Sequence, residues 1–271
     1  LFDDLKGVLF MVSNLSIIFM GLALIIQLMS PIILGIFLYK KERTSIKSLL
    51  VGVLYFTVTQ ILIRIPLLQL LQLTDWYKNL VNASTFLATL ILALSAGVFE
   101  EVGRFLSFRY ILKNELEWKD GVAFGIGHGG IEAIQFGALT NVNNILVSLA
   151  INSGTFDSLV KGLPTEMADM IKEQLTSVAP VTFLAGGLER LFTIFIHIGL
   201  SLLVLYGVRN KKYIYLLYAI LIHALINLVL SLLLEPLGIW ITEALIALIA
   251  AIFLVATLKA KRLFQSSPYA S

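Results

Sequence analysis

The sequence predicts an all-α, polytopic transmembrane helical bundle of about seven spans, or about eight helices if the segment 141–180 adds one. Of its 271 residues, 58% are hydrophobic and 14% are charged, and the mean hydropathy is +0.92. Soluble domains carry roughly 25% charged residues, so this chain has too few polar side chains to cover a water-facing globule. The composition excludes a cytosolic enzyme and a disordered chain, and the lack of cysteine excludes a disulfide scaffold and thiol catalysis.

Seven apolar runs are long enough to cross the hydrocarbon of a membrane, which takes roughly 20 residues. They cover residues 12–38, 49–71, 83–107, 121–139, 181–207, 213–234 and 237–258. We expect residues 1–271 to form a single integral membrane domain that contacts membrane lipid and binds no nucleic acid.

The lysines and arginines of the short loops predict the orientation of the chain. Most of them fall in 40–47, 104–119, 209–212 and 259–262, which the seven spans place on one side of the membrane. The opposite side has Lys6, Lys78, Lys161 and Lys172, and Arg64 and Arg190 lie inside spans. This distribution predicts an outer N-terminus and a cytoplasmic C-terminus.

One connection, residues 141–180, is longer than the others. Its stretch 145–151 is too short to span and is either re-entrant or the tail of the fourth helix. Residues 155–176 place apolar and charged side chains at helical spacing, which predicts an external amphipathic segment. Such a segment would be a structural lid or a gate for substrate.

Ionisable residues inside the spans are the candidate functional residues, because burying them in hydrocarbon is costly. All three histidines of the chain lie in spans, and five further polar residues accompany them: His128, His197, His223, Glu100, Glu101, Glu132, Glu189 and Asn227. Imidazole and carboxylate groups are natural ligands of zinc, so we consider His128, His197, His223 and Glu132 as candidate metal ligands. Groups of the same kinds also serve proton transfer.

Spacing along the chain places several of these residues on shared helix faces. Glu100 and Arg104 are four residues apart and predict an ion pair; the pairs His128–Glu132 and His223–Asn227 have the same spacing. Small residues recur every four positions along the fourth span, which predicts close packing of a neighbouring helix beside His128. These small residues are Gly121, Gly125, Gly129, Ala133 and Gly137.

Several protease motifs are absent. The chain has neither the H-E-x-x-H helix of zinc proteases nor a G-x-S-x-G nucleophile motif, and its aspartates fall in predicted loops or helix ends. Chemistry based on glutamate and histidine remains.

The order of the polar motifs resembles the CPBP glutamic-type intramembrane proteases, a group that includes the CAAX prenyl endopeptidases. The matching stretches are Glu100-Glu101 with Arg104, Phe124 to His128, and His223 to Asn227. The stretches EEVGR, GHGGIEA and ERLFTIFIHIGLS are similar to YhfC-type bacterial membrane peptidases. The resemblance covers residues 95–235, which we therefore expect to form the catalytic core. Arg104 follows the first glutamate by four residues rather than the five of the prenyl endopeptidases.

The resemblance implies an intramembrane endopeptidase, of glutamic or metallo type, in a bacterial plasma membrane. Glu100 would activate a water molecule, with Glu101 beside it, and His128, His223 and Asn227 would position that water and stabilise the oxyanion. The supporting residues would be Arg104, Phe124, Glu132, Glu189 and His197. The substrate would be a membrane-associated peptide or protein; the use of zinc and the oligomeric state stay open.

Two other functions are compatible with the same residues. Buried carboxylates and histidines also occur in proton- or cation-coupled transporters, although the chain has no internal repeat. A non-catalytic CPBP-like membrane protein would keep the motifs without activity.

Overall fold

The computed structural model describes residues 11–265, and these residues form nine helices. The helices are α1 (Asn14–Glu42), α2 (Ile46–Gln72), α3 (Asp75–Ala83), α4 (Thr85–Ile111), α5 (Trp118–Asn152), α6 (Phe156–Leu159), α7 (Thr165–Ser177), α8 (Pro180–Arg209) and α9 (Ile214–Gln265). Six of them, α1, α2, α4, α5, α8 and α9, are long and apolar enough to cross a membrane. The predicted all-α, polytopic class is confirmed; Lys6 lies outside the described residues.

The last two predicted spans lie in one helix, α9, which is 52 residues long. Gly238 interrupts it with a φ of 75° and a ψ of 169°, a conformation that a residue with a Cβ rarely adopts. Pro236, two residues earlier, also lacks the N–H that helix continuation requires. The two helical stretches on either side of Gly238 correspond to the predicted spans 213–234 and 237–258.

Helix α5 extends further than the predicted span 121–139. It continues through a π-helical turn, Ala133–Ala138, and ends at Asn152. Residues 145–151 are therefore the tail of this helix, one of the two alternatives that the sequence left open. The external position of 141–180, the single domain and the core at 95–235 stay predictions.

Contacts divide the described chain into two compact units. The first contains the residues up to Met29 together with Ala133–Leu191. Its apolar core includes Met20, Phe156 and Leu175, and the side-chain amide of Asn152 exchanges two hydrogen bonds with the backbone of Val12, at 2.8 and 2.9 Å.

The second unit contains Ser30–Glu132 and the residues from Phe192 onward. Its core is built from fully buried side chains of α4, α5 and α8, among them Phe108, Phe124, Leu200 and Leu205. The rings of Phe108 and Phe124 lie 4.8 Å apart. This core holds α4, α5 and α8 together around the polar residues described below.

Two faces of α5 approach neighbouring helices too closely for any residue but glycine. A Cβ at Gly125 would lie 2.4 Å from the Cα of Ile198 on α8, and one at Gly127 would lie 2.0 Å from the carbonyl oxygen of Leu49 on α2. A Cβ at Gly129 would lie 3.0 Å from the Cα of Ile194 and 3.2 Å from the ring of His197, both again on α8. The predicted close packing beside His128 is confirmed within this unit, and a second close contact, to α2, was not anticipated.

Candidate active site

Seven ionisable side chains from four helices meet inside the second unit. They are Glu100, Glu101 and Arg104 of α4, His128 and Glu132 of α5, His197 of α8 and His223 of α9. Glu101 and Arg104 are 0% exposed and His128 is 1% exposed. The structure therefore brings all three histidines of the chain to one place, together with four of the charged residues that the spans contain.

Glu100 lies at the centre of this cluster. Its Oε2 atom is 2.9 Å from Nε2 of His128, 3.8 Å from Nε2 of His223 and 4.0 Å from Nδ1 of His197. Three imidazole rings from three different helices thus face one carboxylate oxygen. This arrangement suits either the binding of a cation or the transfer of a proton at that oxygen.

Arg104 is buried against two carboxylates of its own helix. It forms an ion pair and a hydrogen bond with Glu101, and its NH2 atom lies 3.9 Å from Oε2 of Glu100. The spacing along α4 predicted the pair with Glu100, and the structure adds the closer pair with Glu101. A guanidinium group with no access to water needs such partners, because an uncompensated buried charge is strongly destabilising.

Hydrogen bonding assigns different protonation patterns to two of the histidines. Nδ1 of His223 lies 2.7 Å from Oε1 of Glu101, an acceptor, so Nδ1 carries the proton and Nε2 faces Glu100. His197 has the opposite pattern. Its Nδ1 lies 2.6 Å from NH2 of Arg104, which can only donate, and its Nε2 carries the proton toward Glu132 at 2.5 Å.

Four of these residues have the spacing of a metal site. One ligand atom each from Glu100, His128, Glu132 and His197 lie within 4.8 Å of one another. Two imidazoles and two carboxylates form a donor set that zinc accepts. His223 is not part of this group by distance, whereas Glu100, which the resemblance implies to be the base, is part of it.

The charge of the cluster also fits a divalent cation. With neutral imidazoles, the carboxylates of Glu100, Glu101 and Glu132 and the guanidinium of Arg104 leave a formal charge of −2. Unbalanced charge in a buried, low-dielectric site is costly. In addition, Nδ1 of His128 is buried without a hydrogen-bond partner among residues 11–265. The residues present therefore fit a bound divalent ion by donor type, spacing and charge.

The remaining predicted site residues are not members of this cluster. Phe124 is fully buried one turn before His128, with its ring 6.1 Å from the imidazole. Asn227 is half-buried and, among the described residues, makes no hydrogen bond to the cluster. Glu189 belongs to the first unit, where it pairs with Arg190. The catalytic roles implied for Asn227 and Glu189 stay predictions.

One buried polar contact was missed in the sequence. Oε1 of Glu100 accepts a hydrogen bond of 2.8 Å from Nε2 of Gln60 on α2. Gln60 and Arg64 stand four residues apart in an otherwise apolar span, and this pair of polar residues on one helix face was the signal available. Of this pair, only Arg64 is noted above, as a charge inside a span.

Comparison with known proteins places the chain in a family. Residues 26–253 match the family model described as YhfC intramembrane metalloprotease. The chain is also similar to a Bacillus subtilis (strain 168) protein named "Uncharacterized membrane protein YhfC", with 38% identity over 261 residues, 94% of this chain and 100% of that protein. No solved structure matches. The matched region includes all seven residues of the buried cluster, and the chain belongs to the YhfC intramembrane metalloprotease family.

Proposed function

We propose that this chain is an intramembrane peptidase that hydrolyses peptide bonds of membrane-associated peptides or proteins. The observation that carries the proposal is the position of Glu100, whose Oε2 lies 2.9 Å from His128 and 3.8 Å from His223 inside a membrane-spanning region. A buried carboxylate with imidazoles around one oxygen is suited to take a proton from water and return it to a leaving group. The description of the family supports the same class of reaction.

In the proposed step, Oε2 of Glu100 accepts a proton from a water molecule while the water oxygen bonds to the carbonyl carbon of the scissile peptide. Nε2 of His223 faces the same carboxylate oxygen and would accept the other hydrogen bond of that water. The carbonyl oxygen then carries the negative charge, and the Nε2–H group of His128 is the donor nearest to Glu100 Oε2 that would stabilise it. When the C–N bond breaks, the proton on Glu100 passes to the leaving nitrogen.

The other charged residues hold this arrangement in place. Glu101 fixes the ring of His223 and neutralises Arg104, and Arg104 in turn holds His197. Each contact lies between α4 and another helix or within α4 itself, so the geometry around Glu100 is set by the packed unit. Such pre-organisation is what a catalytic site requires.

The proposal includes a divalent cation, with zinc as the first candidate. Glu100, His128 and Glu132 would hold it together with His197 or His223. When bound, the ion would supply Lewis-acid activation of the water and of the peptide carbonyl. The step described above is that of a glutamic peptidase without metal; in the metal-bound form, Glu100 and His128 would act as ligands rather than as base and oxyanion donor.

We further propose the bacterial plasma membrane as the location, with an outer N-terminus and a cytoplasmic C-terminus. The basic loops support this orientation, and the order of the polar motifs supports a relationship to the CPBP proteases.

The test is hydrolysis of a mixture of synthetic transmembrane peptides by the purified chain in liposomes, with products identified by mass spectrometry. We expect cleavage by the wild type and a loss of about 10²–10⁴-fold in rate for Glu100→Gln, which keeps the size of the side chain but removes the base. Glu243→Gln, at a buried carboxylate of α9 outside the cluster, is the matched control and should cleave like the wild type. Equal rates for the wild type and Glu100→Gln would contradict the proposal, and cation uptake without cleavage would favour a transporter.

A further inference from the structure

Gln60 connects the second span to the central carboxylate of the cluster. It is 1% exposed and lies in the π-helical turn of α2, Thr57–Arg64. Its Nε2 donates a hydrogen bond of 2.8 Å to Oε1 of Glu100, the oxygen that does not face the histidines. The two oxygens of Glu100 therefore have different partners, an amide on one side and imidazoles on the other.

Arg64 determines which way the amide of Gln60 points. Its NH1 atom donates a hydrogen bond of 2.9 Å to Oε1 of Gln60. Because a guanidinium group can only donate, the amide oxygen must face Arg64, and the NH2 group must then face Glu100. Arg64, Gln60 and Glu100 are thus linked by two consecutive hydrogen bonds, and the donor and the acceptor of each are determined.

Arg64 is itself fixed to the helix that carries Glu100. Its Nε atom donates to Oγ of Ser95 at 3.0 Å, and its NH2 atom donates to the carbonyl oxygen of Leu92 at 2.8 Å. Both acceptors belong to α4. The amide of Gln60 is consequently held between two points of α4, one at Glu100 and one at Leu92–Ser95.

Packing of α2 against α4 and α5 fixes the position of Gln60 as well. The ring of Phe56 meets the ring of His128 edge-on, with centroids 4.9 Å apart, and a Cβ at Gly103 would lie 2.8 Å from Cγ2 of Thr59. The wider π-helical turn begins directly after Phe56. Such turns occur frequently at functional sites, and this one lies directly against the site.

We propose that Gln60, oriented by Arg64, is a positioning residue for Glu100. By occupying Oε1, it holds the carboxylate plane so that Oε2 is directed toward His128 and His223. This inference rests on the proposed function of Glu100 and extends it to a helix that the family-like motifs do not include. Neither Gln60 nor Arg64 touches the reacting atoms of the proposed step.

The test is binding of Co²⁺, a spectroscopic substitute for zinc, to the purified full chain in detergent, followed by its visible absorption. Three variants are compared with the wild type. Gln60→Met removes both hydrogen bonds of the amide, whereas Gln60→Glu keeps an acceptor for Arg64 but loses the donor to Glu100. Arg64→Met removes the group that orients the amide of Gln60. Gln69→Met, the same change at an exposed position of the same helix, is the matched control.

Loss of an outer hydrogen-bond partner typically weakens metal binding by about 10–100-fold. We expect that loss for Gln60→Met and Gln60→Glu, together with a changed absorption band, a smaller loss for Arg64→Met and wild-type behaviour for Gln69→Met. Wild-type affinity and an unchanged band in Gln60→Glu would overturn the positioning role while leaving the proposed function in place. If the wild type bound no Co²⁺, the metal part of the proposed function would fail, and the rates of peptide cleavage by Gln60→Met and Gln60→Glu would decide the inference, since rates equal to that of the wild type would overturn it. Thermal unfolding of each variant identifies any that do not fold. If the Gln60 variants do not fold, the Co²⁺ affinity and the absorption band of Arg64→Met decide the result.

Discussion

The Nδ1 atom of His223 lies 2.7 Å from Oε1 of Glu101, so the imidazole donates its proton to a buried carboxylate and turns its other nitrogen toward Glu100. Histidines that ligate metals usually donate their second ring N–H to a carboxylate or carbonyl in this way. His197 has the opposite arrangement, because its Nδ1 accepts a hydrogen bond from Arg104. Distance favours His197 as a ligand, whereas the direction of hydrogen bonding favours His223.

The first prediction separates these two histidines. We expect the direction of hydrogen bonding to decide which histidine is the metal ligand. His223→Gln should then weaken zinc binding by more than the roughly 10–100-fold that is typical of losing an outer hydrogen-bond partner. The loss for His197→Gln should stay within that range. Isothermal titration of the metal-free chain with Zn²⁺ measures both. The reverse order of the two losses would contradict this prediction and identify His197 as the ligand.

The second prediction concerns stability. A divalent ion that binds the folded cluster and not the unfolded chain should raise the free energy of unfolding by about 2.7 kcal/mol at a free concentration 100 times its Kd. The buried carboxylates and imidazoles that lie within ligand distance of one another are the reason to expect such binding. Unfolding in detergent with and without Zn²⁺, after chelation, measures the change.

Glu100→Gln is the control for this measurement, because it removes a ligand and one negative charge with little change in volume. We expect the stabilisation by Zn²⁺ to fall strongly in this variant. An equal rise in the wild type and in Glu100→Gln would place the ion elsewhere on the chain.

The residues of the cluster could be found in the sequence because hydrocarbon makes ionisable groups costly. All three histidines stood in apolar runs, which marked them as candidate functional residues, and the structure brings them together in one unit. The helical, polytopic class followed from composition in the same way. Each of these inferences depends on one large effect, the free-energy cost of placing polar and charged groups in hydrocarbon.

Contacts that depend on how a helix is rotated could not be found in this way. Gln60 meets Glu100 because Phe56 and Thr59 fix the rotation of α2 against α4 and α5, and a single sequence gives no measure of that packing. Asn227 shares a face with His223 by spacing, yet it is half-buried and does not join the cluster. The break in α9 at Gly238 falls inside the predicted run 237–258, just after the gap at 235–236 between the last two runs.

The third prediction tests the ion pair between Glu101 and Arg104. Glu101→Ala should lower the free energy of unfolding by about 3–5 kcal/mol, because it leaves a fully buried guanidinium without its nearest partner. Glu101→Gln keeps an acceptor oxygen for both Arg104 and His223 and should lose less. Chemical unfolding in detergent measures the two variants, and equal losses would mean that the negative charge, rather than the hydrogen bonds, stabilises the site.

The fourth prediction concerns the packing of α5 beside His128. Gly127→Ala would place a Cβ 2.0 Å from the carbonyl oxygen of Leu49, and backbone on both sides leaves no flexible side chain to move away. Overpacking of this kind costs about 1–3 kcal/mol, and here it would also push α2, with Gln60, away from Glu100. We therefore expect a loss of both stability and zinc affinity.

Gly21→Ala is the control for this substitution, because a Cβ at Gly21 of α1 has nothing within 4 Å. Alanine favours a helix over glycine by up to about 1 kcal/mol, so this variant should be as stable as the wild type or more stable. If Gly127→Ala kept the zinc affinity of the wild type while losing stability, the distance between α2 and α5 would matter for folding only. The geometry of Glu100 would then be set without α2, which would also contradict the positioning role of Gln60.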